Sequence, residues 1–295
     1  MADTKRLSVY RVHKKRRHSG RSAWGTAVLF LLLAVMGLFM ALPLIYSVIN
    51  SFKPVDELFA YPPRFFVVRP TGGNYFLLFK LASNMWVPFS RYLFNSVFVT
   101  GVATAAHVIF ASMAAFPLAK ARFPGSRPYF GIIVVSLLFT TQVTSLPLYI
   151  VMARLHLVDT YGAIIFPAIG SSLGLFLMKQ FMEGIPDAMI EAARVDGAGM
   201  LRIFWRIVMP NVKPAWLTCL IFAFQAVWND EGSNYVYNES LKVLPTMLHQ
   251  ISDGGIARVG EAAAAAVVLM IPPIVIFVCS QSQILETMAH SGMKD

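Results

Sequence analysis

An all-α integral membrane protein with six transmembrane helices, both termini on the cytoplasmic side, is the fold class that this sequence predicts. Three observations carry the prediction. Of 295 residues, 57% are hydrophobic and 14% are charged, where a soluble domain carries about 25% charged residues. Six long stretches hold no charged residue, and the basic residues gather on alternate connections between them.

The charge-free stretches are Ser22–Phe52, Tyr92–Ala119, Pro128–Ala153, Thr160–Met178, Pro214–Asn229 and Ala262–Leu285. About 20 apolar residues cross a bilayer as a helix. Backbone groups in lipid must bond internally, so these are helices and not strands. The fifth stretch has 16 residues, which rise about 24 Å at 1.5 Å each against a hydrocarbon core of about 30 Å. That helix is therefore expected to continue past Asp230 and Glu231. The first stretch is too long for the apolar region of a secretory signal, and no small-x-small cleavage site closes it, so it reads as a signal anchor.

Basic residues stay on the cytoplasmic side of a membrane. The head holds Lys5, Arg6, Arg11, Lys14, Lys15, Arg16, Arg17 and Arg21. With that head inside, the inner connections add Lys120, Arg122 and Arg127, then Lys179, Arg194, Arg202, Arg206 and Lys213, then Lys294. Seventeen of the 25 Lys and Arg residues then lie inside. The net charge of +10 is accounted for by this asymmetry and by anionic lipid headgroups. Nucleic acid is not an expected partner, because the basic cluster abuts a span directly.

The organisation is a basic tail (1–23), a six-span membrane domain (24–287) holding a polar elbow at about 184–213, and a short C-terminal tail (288–295). Span 1 is expected to break at Pro43, and prolines in the outer segment that follows forbid a long helix there. Pro124-Gly125 turns the chain between spans 2 and 3. The run "EAAAAAVV" opening span 6 suits close approach of another helix or plain helix propensity. Cys219 and Cys279 sit inside spans without metal-ligand spacing and read as small buried hydrophobes. No metal site is expected.

Chemistry-bearing motifs are scarce: there is no phosphate-binding GxxxxGK[ST], HExxH, CxxC or GxSxG. His107, Gln142 and the Asp230-Glu231 pair are the polar residues within or ending spans, and such residues are functional candidates because their burial in lipid is costly. For His107 and Gln142 an interhelical hydrogen bond is the plainer reading. No carboxylate sits in mid-bilayer to serve a proton- or sodium-driven carrier. Trp228, Asn229, Asp230 and Glu231 are candidates to line a path through the membrane, the indole offering a face for stacking and the polar groups accepting hydrogen bonds. The alternative is that the acidic pair only caps the span at the interface, or pairs with a basic residue of a partner chain.

The elbow "EAARVDGAGMLRIFWRIVMPNVKP" stands between two oily segments. Pro186 suits a first helical turn, and Asp187 puts negative charge at the positive end of the helix dipole. A first helix is expected through "DAMIEAARV", stopped by a left-handed Gly197. A second follows, with Met200, Leu201, Phe204, Ile207 and Val208 on one face. Pro210 ends it, and Pro214 opens span 5. Two alanines in "EAA" leave a surface thin enough for a partner to lie against.

This stretch closely resembles the EAA loop of permease subunits in bacterial ABC importers. The match is Glu191, Ala192, Ala193, Asp196, Gly197, Ala198, Phe204, Ile207 and Pro210, with Met209 where that family usually has leucine. Beyond the loop, "SFKPVDELF", "RYLFNSVFV", "WND", "LPTML" and "MAHSGMKD" resemble the smaller permease of carbohydrate-uptake systems of the maltose-transporter type. The acidic Glu231 departs from that pattern, which commonly has an aromatic there. The resemblance implies a permease subunit, not an enzyme, that forms half of a path for a carbohydrate. Its implied partners are a second permease, two ABC ATPase subunits that dock on the elbow, and an extracytoplasmic solute-binding protein. ATP and Mg belong on the ATPase, with no cofactor in this chain. The implied location is the bacterial cytoplasmic membrane. A secondary transporter or channel not driven by ATP is the alternative.

Overall fold

The computed structural model of the protein describes residues 23–121, 123–232 and 234–291; most of the basic tail, Arg122, Ser233 and the last four residues lie outside them. All regular structure among the described residues is helical. Helix α1, Ala23–Ser51, runs through Pro43 without the expected break, since the freed carbonyl of a membrane helix can be re-satisfied locally. Residues to Tyr46 form one compact unit and those from Ser47 a second.

In the second unit, the segment after α1 is folded on buried polar groups. Lys53 donates to the Arg64 carbonyl (2.6 Å). The Glu57 carboxylate accepts from the Val68 and Arg69 amides (2.7 and 3.3 Å). Asn74 donates to the Ser51 and Lys53 carbonyls, both at 2.8 Å. The prolines limit helix here to α2, Val55–Leu58, and to α3, Gly73–Ser83, which the sequence reading did not anticipate.

Helix α4, Phe89–Lys120, is the central rod. Ser96, Ala103, His107, Ala111 and Ala115 are buried along one side, and small residues at this spacing let neighbours approach closely. Those neighbours are α7 (Gly162–Ile169), α8 (Ser172–Glu183) and α12 (Lys213–Trp228). The third charge-free stretch is not one straight helix: α5, Ser126–Ser136, and α6, Thr141–Arg154, meet at 111°. Hydroxyl groups, invisible to a count of charges, gather at the break. Ser136 Oγ lies within hydrogen-bond distance of the Ile133 carbonyl and of Ser172 Oγ (2.6 and 2.5 Å), and Thr140 is extended with ψ 154°. The fourth stretch is interrupted at Gly170-Ser171, between α7 and α8.

The elbow comprises α9 (Asp187–Val195), α10 (Met200–Ile203), a π-turn (Phe204–Val208) and α11 (Met209–Asn211). Its axis over Met200–Asn211 lies at 81° to α12. At the far end, α13 (Leu244–Ser252) buries Leu244, Met247, Leu248 and Ile251. Helix α14, Val259–Ser291, continues through Pro272-Pro273 and beyond the boundary drawn at residue 287. Ala264 and Ala265 of its alanine run pack in the core beside Trp228 and Leu248, so here alanine serves close approach. Among the described residues, four helical segments are long and apolar enough to cross a membrane, or up to six if each bent pair counts as one span.

Candidate functional site: the elbow and the far-end cavity

Two places gather functional side chains. At the elbow, Pro186 caps α9 with extended geometry (φ −60°, ψ 131°), and Asp187 occupies the first turn. Ile190 and Ala193 turn inward and are 4% and 9% exposed. They join a core with Phe116 of α4, Met178 and Met182 of α8, and Val212 and Cys219. Glu191, Ala192, Arg194 and Asp196 face outward, and Val195 is 87% exposed. The two alanines of "EAA" thus do different things: Ala192 leaves the outer face thin, and Ala193 lets α9 sit close to the core.

The end of α9 follows from Gly197, at φ +79°. Its amide donates to the Arg194 carbonyl (3.0 Å), and the Ala198 amide reaches back to Ala193 (2.9 Å). This crossed pair is a Schellman closure, which needs a left-handed residue that only glycine adopts without strain. Ala198 then packs partly against the core.

The second half of the elbow departs from the expected face. Phe204 and Val208 are buried at 2% and 0% and Ile207 is partly buried, but Met200 and Leu201 are 43% and 68% exposed, and Ile203, not foreseen, is fully buried. The π-turn causes the change: the Met209 amide bonds to the Phe204 carbonyl, five residues back. Pro210 explains the turn. It has no N–H to give, and its ring would strike the carbonyl four residues earlier in a plain α-helix. Contrary to expectation, Pro210 does not end the helix but lies within α11. The Phe204 ring packs on Phe116 with centroids 5.6 Å apart.

The far end corrects a second expectation. Helix α12 stops at Trp228 instead of passing Asp230 and Glu231. Asp230 Oδ1 accepts from the Gly232 amide (2.9 Å), a local turn that competes with helix continuation. Gly232 itself is left-handed (φ +62°), and a Cβ on it would stand 2.7 Å from Ile164 Cδ1. Trp228 is 4% exposed. Its indole N–H donates to the Leu269 carbonyl of α14 (3.1 Å), and its ring stacks on Phe224 at 5.7 Å. It ties α12 to α14 and is not free to stack on a sugar. Asn229 and Asp230 are exposed. Glu231 is partly exposed, with His249 Nε2 at 3.4 Å.

Asp230 lines a cavity of about 420 Å³ with Asn234, Tyr235 and the hydroxyls of Thr141, Thr144 and Ser145. Burial and the Asp230 charge both raise the Tyr235 pKa, which places that charge within electrostatic reach of the cavity wall. Sequence reading missed the α6 residues. Their spacing at i, i+3 and i+4 in an apolar stretch was the available signal.

His107 is buried at 2%, with Nδ1 3.1 Å from the Ile169 carbonyl. That carbonyl lies at the end of α7, where the break before α8 leaves it without a helical partner, so the interhelical hydrogen bond is realised. Gln142 differs: it is exposed on the first turn of α6 and makes no bond to another helix among the described residues. Cys219 is buried and Cys279 is exposed, both as free thiols.

A set of membrane-length helices with a charged, rigid helical elbow at one end and a polar cavity towards the other is the arrangement of a membrane transport subunit. The chain belongs to the family of binding-protein-dependent transport system inner membrane components, whose model matches residues 107–287. It is 31% identical to Protein LplC of Bacillus subtilis over 229 residues, 75% of this chain and 74% of that one. It is 26% identical to the arabinooligosaccharides transport system permease protein AraQ of Halalkalibacterium halodurans over 288 residues, 95% of this chain and 99% of that one. Its fold is similar to a chain of a bacterial ABC transporter involved in the import of the acidic polysaccharide alginate, with TM-score 0.72, 23% identity, and coverage of 87% of this chain and 95% of that one. The chain is a permease subunit of an ABC importer, and the alternative of a secondary transporter is set aside.

Proposed function

We propose that this permease carries an oligosaccharide across the bacterial cytoplasmic membrane. Helices α5 and α6 together make one of six spans and α12 alone another, and both termini and the elbow lie on the cytoplasmic side. An ABC ATPase docks on the outer face of α9 through Glu191, Ala192 and Asp196. Ala193, Gly197, Ala198, Phe204, Ile207 and Pro210 hold that face in place. A second permease completes the path, two ATPase subunits hold ATP and Mg, and a solute-binding protein delivers the sugar from outside. Asn229, Asp230 and Glu231, with the α6 hydroxyls, border the path and accept hydrogen bonds from sugar hydroxyls; Trp228 supports them from the core. The arabinooligosaccharide relative supports the substrate class.

The observation that carries this reading is the two-sided α9: Ile190 and Ala193 locked into the core while Glu191 and Val195 stand free. A face this rigid relays force as a body when ATP closes a docked ATPase dimer. The test is Glu191→Lys. Reversing a charge in a docked groove weakens an interface by tenfold or more. The variant is expected to reach the membrane normally, to retain less ATPase on purification, and to lose uptake. Normal uptake at equal abundance would overturn the docking assignment.

A further inference from the structure

Lys120, the last residue of α4, has a side chain that is only 6% exposed. Its ammonium donates to the Ile185 carbonyl (2.5 Å), to Asp187 Oδ1 (2.8 Å) and to the Glu183 carbonyl (3.3 Å). All three N–H donors of the group are therefore used, which is what makes a buried ammonium tolerable. The acceptors all belong to the corner where α8 ends and α9 begins, and they stand 63 to 67 residues away in sequence. The last carbonyls of α8 need partners, and a nearby side chain could have supplied one. Instead the group comes from the central rod, so the corner is tied to α4.

The other end of α4 is tied as firmly to the segment before α13. Asn95 Nδ2 donates to the Ser240 and Lys242 carbonyls (2.9 and 2.8 Å). The Leu244 amide donates to Ser96 Oγ (2.6 Å), and the Tyr92 hydroxyl donates to Glu239 (2.7 Å). Between Asn95 and Lys120 the helix is continuous, with Pro117 in its last turn, and spans about 38 Å at 1.5 Å per residue. Tyr235, just before that segment, lines the cavity; its carbonyl accepts from the Asp159 amide (2.7 Å), and the Asp159 carboxylate accepts from the Tyr237 and Asn238 amides (3.0 and 2.7 Å).

We propose that Lys120 is a positioning residue for transport: it makes the elbow corner and α4 move as one body, so that force on α9 reaches residues 237–244 beside the cavity at the opposite end. A continuous helix pinned at both ends by multiple hydrogen bonds is a physical relay, and sliding of packed helices is the motion it would convert. Lys120 touches no substrate; it acts through the corner it holds. The proposal rests on the reading that the elbow docks an ATPase.

The experiment uses the whole transporter, purified with its partner chains by a tag on this one and reconstituted in lipid. Hydrogen exchange is read at residues 187–195 and at 237–242, with and without ATP and Mg, in wild type and in Lys120→Met, which keeps the stem and removes the donors. In wild type, ATP is expected to change exchange at both segments by threefold or more. In K120M the change at 187–195 should persist while that at 237–242 falls below twofold, and sugar moved per ATP hydrolysed should drop at least tenfold. Lys120→Arg, which keeps the charge, should recover part of the coupling. If K120M does not assemble, K120R is read by the same criterion, with a weakened far-end response expected. An unchanged far-end response in the variant that assembles overturns the relay. No ATP response at 187–195 in wild type overturns the docking reading instead, so the two failures are distinguishable.

Discussion

Gly174 of α8 lies directly against His107 of α4, and a substitution there should show a reversal of sign. A Cβ at position 174 would stand 2.0 Å from His107 Nε2 and 2.6 Å from Cε1, where ordinary contact begins near 3.4 Å. The ring is buried at 2% and held by its bond to the Ile169 carbonyl. Gly174→Ala must therefore move the ring by more than an ångström. The overpacking costs about 1–3 kcal/mol, and losing the buried hydrogen bond adds about 1–3 kcal/mol. Against this, alanine inside a helix is favoured over glycine by about 1 kcal/mol. The net expectation is a destabilisation of about 1–5 kcal/mol, a fall in melting temperature of roughly 2–20 °C for a large domain. In a His107→Ala background the obstruction is gone and only the propensity gain remains, so the same substitution should then stabilise, by up to about 1 kcal/mol. Thermal unfolding of the purified protein in one detergent, across the four members of the cycle, reads this directly. An equal fall in melting temperature in both backgrounds would refute the contact.

Trp228→Ala should act on stability, by about 3–5 kcal/mol for a buried aromatic, while Trp228→Phe, which loses only the indole bond to Leu269, should fall between; a stable W228A with altered sugar selectivity would return this residue to the path. Glu239 gives a pH prediction. Burial pushes its carboxyl up, but hydrogen bonds from Lys242 and Tyr92 outweigh this and hold its pKa below the ordinary glutamate value. The folded pKa is depressed, so its contribution is present above the unfolded value and is lost as pH falls through the folded one. Protection of residues 237–242 from exchange should therefore decline at acid pH in wild type, and Glu239→Gln should abolish that pH dependence while lowering protection at neutral pH; an identical acid profile in the variant would refute it.

The elbow was the most legible part of the chain, because its determinants are local. Asp187 in a first turn, Gly197 as a left-handed stop and Pro214 at the head of α12 each act within a few residues, and each stands where the reading put it. Even there, the π-turn moved Ile203 inward and Leu201 outward, since one extra residue per turn rotates every face that precedes it. The helical membrane class was equally plain, because apolar length and backbone hydrogen bonding leave lipid few alternatives.

The sequence by itself thus determined the helical class, the polar elbow and its local stops, and the family to which the chain belongs, all properties written in runs of neighbouring residues. Only the tertiary structure decided which polar residues meet. Beside the 111° break in the third stretch, Ser136 meets Ser172, a partner 36 residues away. Trp228 is held in the core because Leu269 and Phe224 enclose it. The α6 hydroxyls became cavity lining because α7 and the end of α12 fold against them. Lys120, a plain inner-loop cation in the linear chain, became a buried clamp because α8 and α9 turn their acceptors towards it. Burial of a polar group is tolerated only when distant partners satisfy it, and no local pattern states where those partners will come from.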